Sequence, residues 1–481
     1  MTRDYDLIIL GSGPAGFACA MQATKFDKKA LIIEANEENL GGSWINTGTV
    51  PSKALRETAK NIYSYTSKFG DFHEKKPYER FKMRDVLKYK DKVLANENNE
   101  IKKNLIKNNV HTSRGFGKII DANTIEITDH LGSQREVTAD YILVSTGAQP
   151  KPPESFKVDH NKVHDINSIL NMQHIPRRIS IVGGNIQSIE FATIFASLGT
   201  KVTILNENAD FLSYIDYEIR DEFQKVLDLL KISLVNGVKI QNVSKNELRN
   251  CTEIRYTKAE TDELMVLETE VMLYFGGRIP NSKNIGLEAL GVEMDEQGYI
   301  KVNKNHKTNV DSIYAAGDVV GFPALASVSF SQGRIAACDM FGIPSSELSV
   351  NIPFGIYSIP EIASIGLTEK EAIKQGFDVT VGRSYYNNLT KADISKNRIG
   401  LLKLVFETKT FKLLGVHICG EEACELIHIG QSVLFYNGDI RFFIQNVMNY
   451  PTYSEAYKVA AFNGVNRVYK AGAKYKDLLN K

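Results

Sequence analysis

The chain has 481 residues, too many for one ordinary hydrophobic core, and its length points to about three domains. Fifty-eight basic against fifty-seven acidic side chains leave a formal charge of +1, so no global field favours nucleic acid or an anionic membrane. With 43% hydrophobic and 24% charged residues and no apolar run long enough to cross a bilayer, a soluble globular protein is expected.

The opening MTRDYDLIILGSG enters a strand pattern by Tyr5 without the long apolar segment and small-residue cleavage site of a signal peptide, so a cytoplasmic location is expected. Apolar YDLIIL, glycine-rich GSGPAG, a small-residue helix and ALIIEA then make a β-α-β pattern. Gly11, Gly13 and Gly16 complete a GxGxxG: the first permits the tight turn, the second admits a pyrophosphate, and the third lets helix and strand pack. Glu34 ends the next strand, close to where an acid accepts hydrogen bonds from a ribose diol. From Ser52 to about Asn108, helical spacing predicts two long, partly exposed helices.

Strands follow, including NTIEITD and YILVSTGAQP, where Gly147 and Pro150 mark a boundary. A second β-α-β pattern starts at RRISIVGGNIQSIEFATIFASLGTKVTILNE, so two dinucleotides are expected. Its motif, Gly183-Gly184-Asn185-Ile186-Gln187-Ser188, keeps the first glycine but has Asn185 and Ser188 at the other two places, and the Asn185 side chain is expected where pyrophosphate would approach. Asn206 stands where an NAD-selective site carries an acid, and Glu207, Asn208, Ala209 and Asp210 offer no arginine for a 2′-phosphate. DSIYAAGDVVGFPALASVSFSQGRIAA reads as a strand, a Gly-Asp turn and a small-residue helix returning to the first unit. Beyond about Leu348 come strands and two or more helices without a glycine-rich loop, read as a dimerisation domain.

Five cysteines, Cys19, Cys251, Cys338, Cys419 and Cys424, are too sparse for a disulfide framework. Cys419 and Cys424 lie in VHICGEEACELIHIG, read as a strand, a turn and a helix start in which the thiols pack. The nine histidines show no ligand spacing, so no metal is expected, and the chain has no basic stripe for nucleic acid.

GSGPAG, GGSWINTGTVPSKAL, STGAQP and AAGDVVGFPALA together resemble the pyridine nucleotide-disulfide oxidoreductases along nearly the whole chain. The resemblance implies an α/β fold: two Rossmann-like dinucleotide-binding domains, for FAD and NAD(P), and a C-terminal α+β dimerisation domain of a homodimer. The expected division is 1–150 and 278–348 for FAD, 151–277 for NAD(P), and 349–481 for dimerisation. FAD would be held by Gly11, Gly13, Pro14, Ala15, Gly16, Glu34, Gly42, Ser43, Lys53, Thr146, Gly147, Gly317, Asp318 and Ala326. NAD(H) or NADP(H) would be held by Gly183, Gly184, Asn185, Ser188, Glu190, Asn206, Gly277 and Arg278. Lys53 and Glu190 match residues that pair beside flavin N5 and are the catalytic candidates, against the plainer reading of a buried salt bridge.

The family's redox motif, GG-x-C-x-N-x-G-C-x-P-S-K, aligns without a gap from Gly41 to Lys53, but Trp44 and Thr49 replace its cysteines. Neither an indole nor a threonine hydroxyl forms a mixed disulfide, so disulfide reductase chemistry is excluded at this site. Trp44 is expected to cover the flavin face where a disulfide would lie. Tyr450-Pro451-Thr452-Tyr453-Ser454-Glu455 stands where the family has H-P-T-x-x-E, and tyrosine is a poor base at neutral pH. NYPTYSEAYKVAAFNGVNRV is similar to the same stretch of soluble, Si-specific pyridine nucleotide transhydrogenases, although that branch keeps a cysteine where Trp44 stands. The expected activity is ping-pong hydride transfer between nicotinamide nucleotides through FAD. The alternatives are an NAD(P)H diaphorase or oxidase, a dihydrolipoamide-dehydrogenase-like flavoprotein with weakened or lost activity, and a silent binding module.

Overall fold

A computed structural model describes residues 3–36, 38, 40–68, 81–259 and 261–470. The first unit is built on β1 (Tyr5–Leu10), α1 (Pro14–Thr24), β2 (Ala30–Glu34), α2 (Gly42–Asn46) and α3 (Thr49–Lys68). Strands β3 (His111–Arg114), β4 (Phe116–Asp121), β5 (Thr124–Thr128) and β6 (Gln134–Val144) complete the sheet, in the order β3-β2-β1-β6-β5-β4. The long β6 serves two sheets. Its first half pairs antiparallel with β5, and its second half runs parallel to β1 and to the strand Ile313–Ala315. β1 and β2 are continuous apolar runs because both of their faces are covered. The predicted return to this unit is present: Ile313–Ala315 leads through Gly317 to the helix Ala326–Met340, which packs on α1. That packing requires Gly333, where a Cβ would lie 2.0 Å from the Ala15 carbonyl oxygen.

The two long helices expected after Ser52 are α3 and Met83–Lys107; the part of that expectation over 69–80 lies outside the described residues. The chain leaves the first unit along Ala148–Pro150 and returns along Arg278–Pro280, and the two segments pair antiparallel as a ribbon. Between them lies a parallel sheet ordered Ser233–Val235, Lys201–Leu205, Arg178–Val182, Val271–Tyr274, Val163–His164. Its helix, Ile186–Ser197, buries Ile189, Phe191, Ala192, Ile194 and Phe195 because it is enclosed by that sheet, α3 and the C-terminal unit.

The C-terminal unit is an antiparallel sheet of Phe354–Ile356, Glu361–Gly366, Leu413–Gly420, Leu401–Glu407 and Val379–Tyr385, covered by the helices Ala423–Phe435 and Glu455–Lys470. An ion cluster joins it to the second unit: fully buried Lys403 lies 3.0 Å from Asp216 and 2.7 Å from Glu218, and also pairs with Glu369. Removing either sign alone would strand buried charge, which makes the joint specific. Among the described residues no helix is long and apolar enough to cross a membrane.

Candidate functional site

The first glycine loop follows β1 directly. Gly11 takes a φ of 98°, a backbone open mainly to glycine, and a Cβ there would lie 2.6 Å from the Ser145 carbonyl oxygen. Gly16 is as tightly fixed, with a Cβ meeting the Gly11 oxygen at 2.1 Å. Gly13 differs: it caps α1, and a Cβ there would meet no atom within 4 Å. Two glycines therefore fix the turn, and the third leaves room before the N-terminus of α1, where Pro14 and Ala15 open the helix. Backbone N–H groups at such an end attract phosphate.

Glu34 is buried beside this loop. The Ser12 N–H donates to its Oε2 at 3.0 Å, the Ser12 hydroxyl donates to the same oxygen, and the Asn36 N–H donates to Oε1 at 2.9 Å. Gly42, with φ 57°, would bring a Cβ within 3.0 Å of the Gly13 Cα, so the loop carrying Trp44 sits against the glycine turn with Ser43 exposed beside it.

The remaining first-site residues converge from β6 and the returning segment. Thr146 donates its hydroxyl to the Asn281 carbonyl at 2.7 Å, and the Asn281 side chain donates back to Thr146 at 2.9 Å, which sets the Gly147 turn. The Gly317 N–H donates to Gln332 at 2.8 Å, and Asp318 follows, ahead of the helix that starts at Ala326. Burial pushes the Asp318 carboxyl up, and Arg278, 3.4 Å away, pulls it down. The open cradle at Gly13, two helix N-termini and the acids Glu34 and Asp318 fit a dinucleotide with a pyrophosphate and a ribose, as FAD has.

Trp44 has its ring 5.0 Å from Phe330, edge to face, in an apolar cluster with Phe17 and Val50. Thr49 is exposed at the start of α3. All five cysteines are free and buried, and burial raises the thiols of Cys19, Cys338, Cys419 and Cys424 away from the reactive range.

At the second site, Gly183 with φ 127° would bring a Cβ within 2.5 Å of the Phe275 oxygen, and a Cβ on Gly184 would collide with the Asn206 side chain at 2.0 Å. Sequence reasoning expects Asn185 to project into the phosphate approach. There its Oδ1 accepts the Ser188 N–H at 3.1 Å and caps the helix, and its Nδ2 donates to the Phe275 carbonyl at 3.1 Å, so both ends of the side chain are engaged within the protein. The pairing of Asn185 with Ser188 three residues on is the sequence signal for this cap. Ser188 itself is fully buried.

Asn206 is also fully buried, donating to Asn236 at 2.9 Å and accepting from the Asn208 N–H at 3.2 Å. Gly277 and Arg278, with Gln187 and Tyr274, line a narrow cleft at the joint. Arg278 reaches toward the first site, pairing with Asp318 and donating to the Ala148 carbonyl.

The structure brings Lys53 and Glu190 together between the two units. Lys53 Nζ lies 2.9 and 2.8 Å from the two carboxylate oxygens, with 27% of the lysine and 6% of the glutamate side chain exposed. Sequence reasoning missed two residues: Ser12, which anchors Glu34 through both its N–H and its hydroxyl, and Tyr357, whose backbone N–H donates to Glu190 at 2.9 Å. Tyr450, at the place of the family's histidine, is 67% exposed and shares a hydrogen bond with Thr390.

Residues 5–333 match the family model described as pyridine nucleotide-disulphide oxidoreductase, and residues 352–461 match the dimerisation domain of the same name. The chain is 37% identical over 470 residues to the soluble pyridine nucleotide transhydrogenase of Colwellia psychrerythraea, covering 97% of this chain and 99% of that one. It is 36% identical to the protein of that name from a Marinomonas species, with 97% and 100% covered. The copper(II) complex of the HOCl-induced flavoprotein disulfide reductase RclA from Escherichia coli superposes with a TM-score of 0.86 at 24% identity, over 96% of this chain and 99% of that one. LpdA from Mycobacterium tuberculosis gives 0.85 at 23%, over 95% and 98%, and these two likenesses establish the fold.

Proposed function

The chain belongs to the pyridine nucleotide-disulphide oxidoreductase family, as a flavin-dependent oxidoreductase acting on nicotinamide nucleotides, and on that premise we propose that it is a pyridine nucleotide transhydrogenase working without a redox disulfide. One observation carries the reading: the loop from Gly41 to Lys53 keeps the Lys53–Glu190 pair but has Trp44 and Thr49 in the cysteine places. Relatives at this identity are named transhydrogenases, which supports the same choice.

FAD, when bound, supplies a two-electron store that takes a hydride from one nicotinamide nucleotide and returns it to another. In this reading residues 1–150 and 278–348 hold FAD, 151–277 hold the nicotinamide nucleotide, and 349–481 join two copies in a cytoplasmic homodimer. The α1 N-terminus with Gly11, Gly13 and Gly16 takes the pyrophosphate, and Glu34 accepts from the ribose. Gly183, Gly184 and the capped helix N-terminus at Asn185 take the second nucleotide. Lys53 places a positive charge where electron density develops, and Glu190 orients that charge without withdrawing it from the site. Trp44 closes the side that a disulfide would use, so donor and acceptor nucleotides occupy one site in turn. Initial rates test this: parallel double-reciprocal lines support alternate occupancy, and intersecting lines contradict it.

A further inference from the structure

Tyr357 follows the strand Phe354–Ile356 at the entry to the C-terminal unit and touches both members of the catalytic pair. Its N–H donates to Glu190 Oε1 at 2.9 Å, and its ring centre lies 4.7 Å from Lys53 Nζ. Glu190 therefore receives the ammonium on both oxygens and a backbone N–H on one of them. The ammonium meets the carboxylate and the face of an aromatic ring, an arrangement that restrains a long and otherwise mobile side chain.

The contact repeats one turn along both helices. The Ile359 N–H donates to the Thr193 hydroxyl at 3.1 Å, and the Ser358 carbonyl accepts from Arg56 Nε at 3.0 Å. Arg56 also pairs with Glu361 at 2.9 Å. Lys53 with Arg56, and Glu190 with Thr193, stand three residues apart on α3 and on Ile186–Ser197, so each pair shares a helix face. Residues 357–361 thus form a strap that ties two helices from different units to the C-terminal sheet. On the same side Tyr214 lies edge-on to Phe354 at 5.7 Å. Burial pushes the Tyr357 hydroxyl up to about 12, so its ring stays neutral across the working pH range.

We propose that Tyr357 is a positioning residue: through its ring and N–H, the docked C-terminal unit fixes where the Lys53 charge sits, which makes flavin reduction depend on that docking. The inference rests on the reading of Lys53–Glu190 as the charge that supports flavin reduction. It assigns to the C-terminal unit a role within a single chain that is separate from joining two copies.

The test uses the FAD-loaded protein and the variants Tyr357→Phe, Tyr357→Leu and Lys53→Met. The readouts are the midpoint potential of the bound flavin from a spectroscopic redox titration, the anaerobic bleaching rate at saturating NADH, and the NADH concentration giving half that rate. Tyr357→Phe keeps the ring and the N–H and is expected to match the parent in all three. Tyr357→Leu is expected to slow bleaching by about 2- to 30-fold, the range of one cation–π contact. It should also move the potential to a more negative value and leave half-saturation and FAD content unchanged. If Tyr357→Leu fails to retain FAD, Tyr357→Met, which keeps the apolar bulk, must give the same signs. The proposal is overturned if Lys53→Met changes rate and potential while the ring-less Tyr357 variants change neither. If Lys53→Met changes neither, the underlying reading of the pair fails first, and the positioning role falls with it.

Discussion

Ser12 ties Glu34 to the loop that carries Trp44: its N–H donates to Glu34 Oε2 at 3.0 Å, and its hydroxyl donates to the same oxygen while accepting the Gly41 N–H at 2.8 Å. Ser12 is 1% exposed, so water cannot replace the lost hydroxyl. Ser12→Ala is therefore expected to lower unfolding stability by about 1–3 kcal/mol, the cost of buried groups left without a partner. Flavin should also dissociate faster, measured by the fluorescence of released FAD. Unchanged stability and release would show that Glu34 and Gly41 are held by other contacts.

Gly13 and Gly16 allow cofactor binding to be tested apart from folding. An alanine Cβ at Gly16 would lie 2.1 Å from a backbone oxygen, so Gly16→Ala should unfold the protein at markedly lower urea. Gly13 has an ordinary negative φ and open space, so Gly13→Ala should leave the FAD-free protein as stable as the parent while its affinity for FAD falls at least tenfold. Titration of FAD into both flavin-free proteins, beside urea melts, reads the contrast.

Gly11, Gly13, Gly16, Glu34, Lys53 and Glu190 stand out in the sequence by residue type and spacing; the structure sets the three glycines and Glu34 about one turn and pairs Lys53 with Glu190. Asn185 reads as a departure from the glycine motif; its capping bond to the Ser188 N–H is local, but its second bond, to Phe275 90 residues away, leaves no local signal. Tyr357 was not legible: its N–H reaches Glu190 across 167 residues, and a backbone donor leaves no mark in residue type. Arg278 shows the same limit. It lines the cleft with Gly277, and the ribbon with Ala148–Pro150, which no local signal marks, also brings it to Asp318.

The cap at Asn185 makes the altered glycine motif a stable helix start. Asn185→Ala removes both of its hydrogen bonds and is expected to cost about 1 kcal/mol, whereas Asn185→Gly should cost a few tenths. Chemical denaturation of both variants tests the order. If glycine proved the more damaging, the cap would not be the reason for asparagine here.

His306 gives the fold a pH dependence on the acid side. Both ring nitrogens are buried without a hydrogen-bond partner among the described residues, and burial lowers the pKa from 6.5 to about 4. Between those values the unfolded chain takes a proton that the folded chain refuses, so stability falls as pH drops through this window. The loss approaches about 3 kcal/mol near the lower end. His306→Asn suits the φ of 67° and removes the titration, so its stability should fall less steeply over the same window in paired urea melts.

The central claim is that nicotinamide nucleotides exchange hydride through FAD with no protein thiol involved. Anaerobic stopped-flow absorbance of the FAD-loaded protein tests it most directly, using NADH and NADPH in separate runs, before and after alkylation of all accessible thiols. The account predicts rapid bleaching by at least one of them, reversal by the other nucleotide in its oxidised form, and identical traces after alkylation. No bleaching by either nucleotide, or bleaching that no oxidised nucleotide reverses, would contradict it.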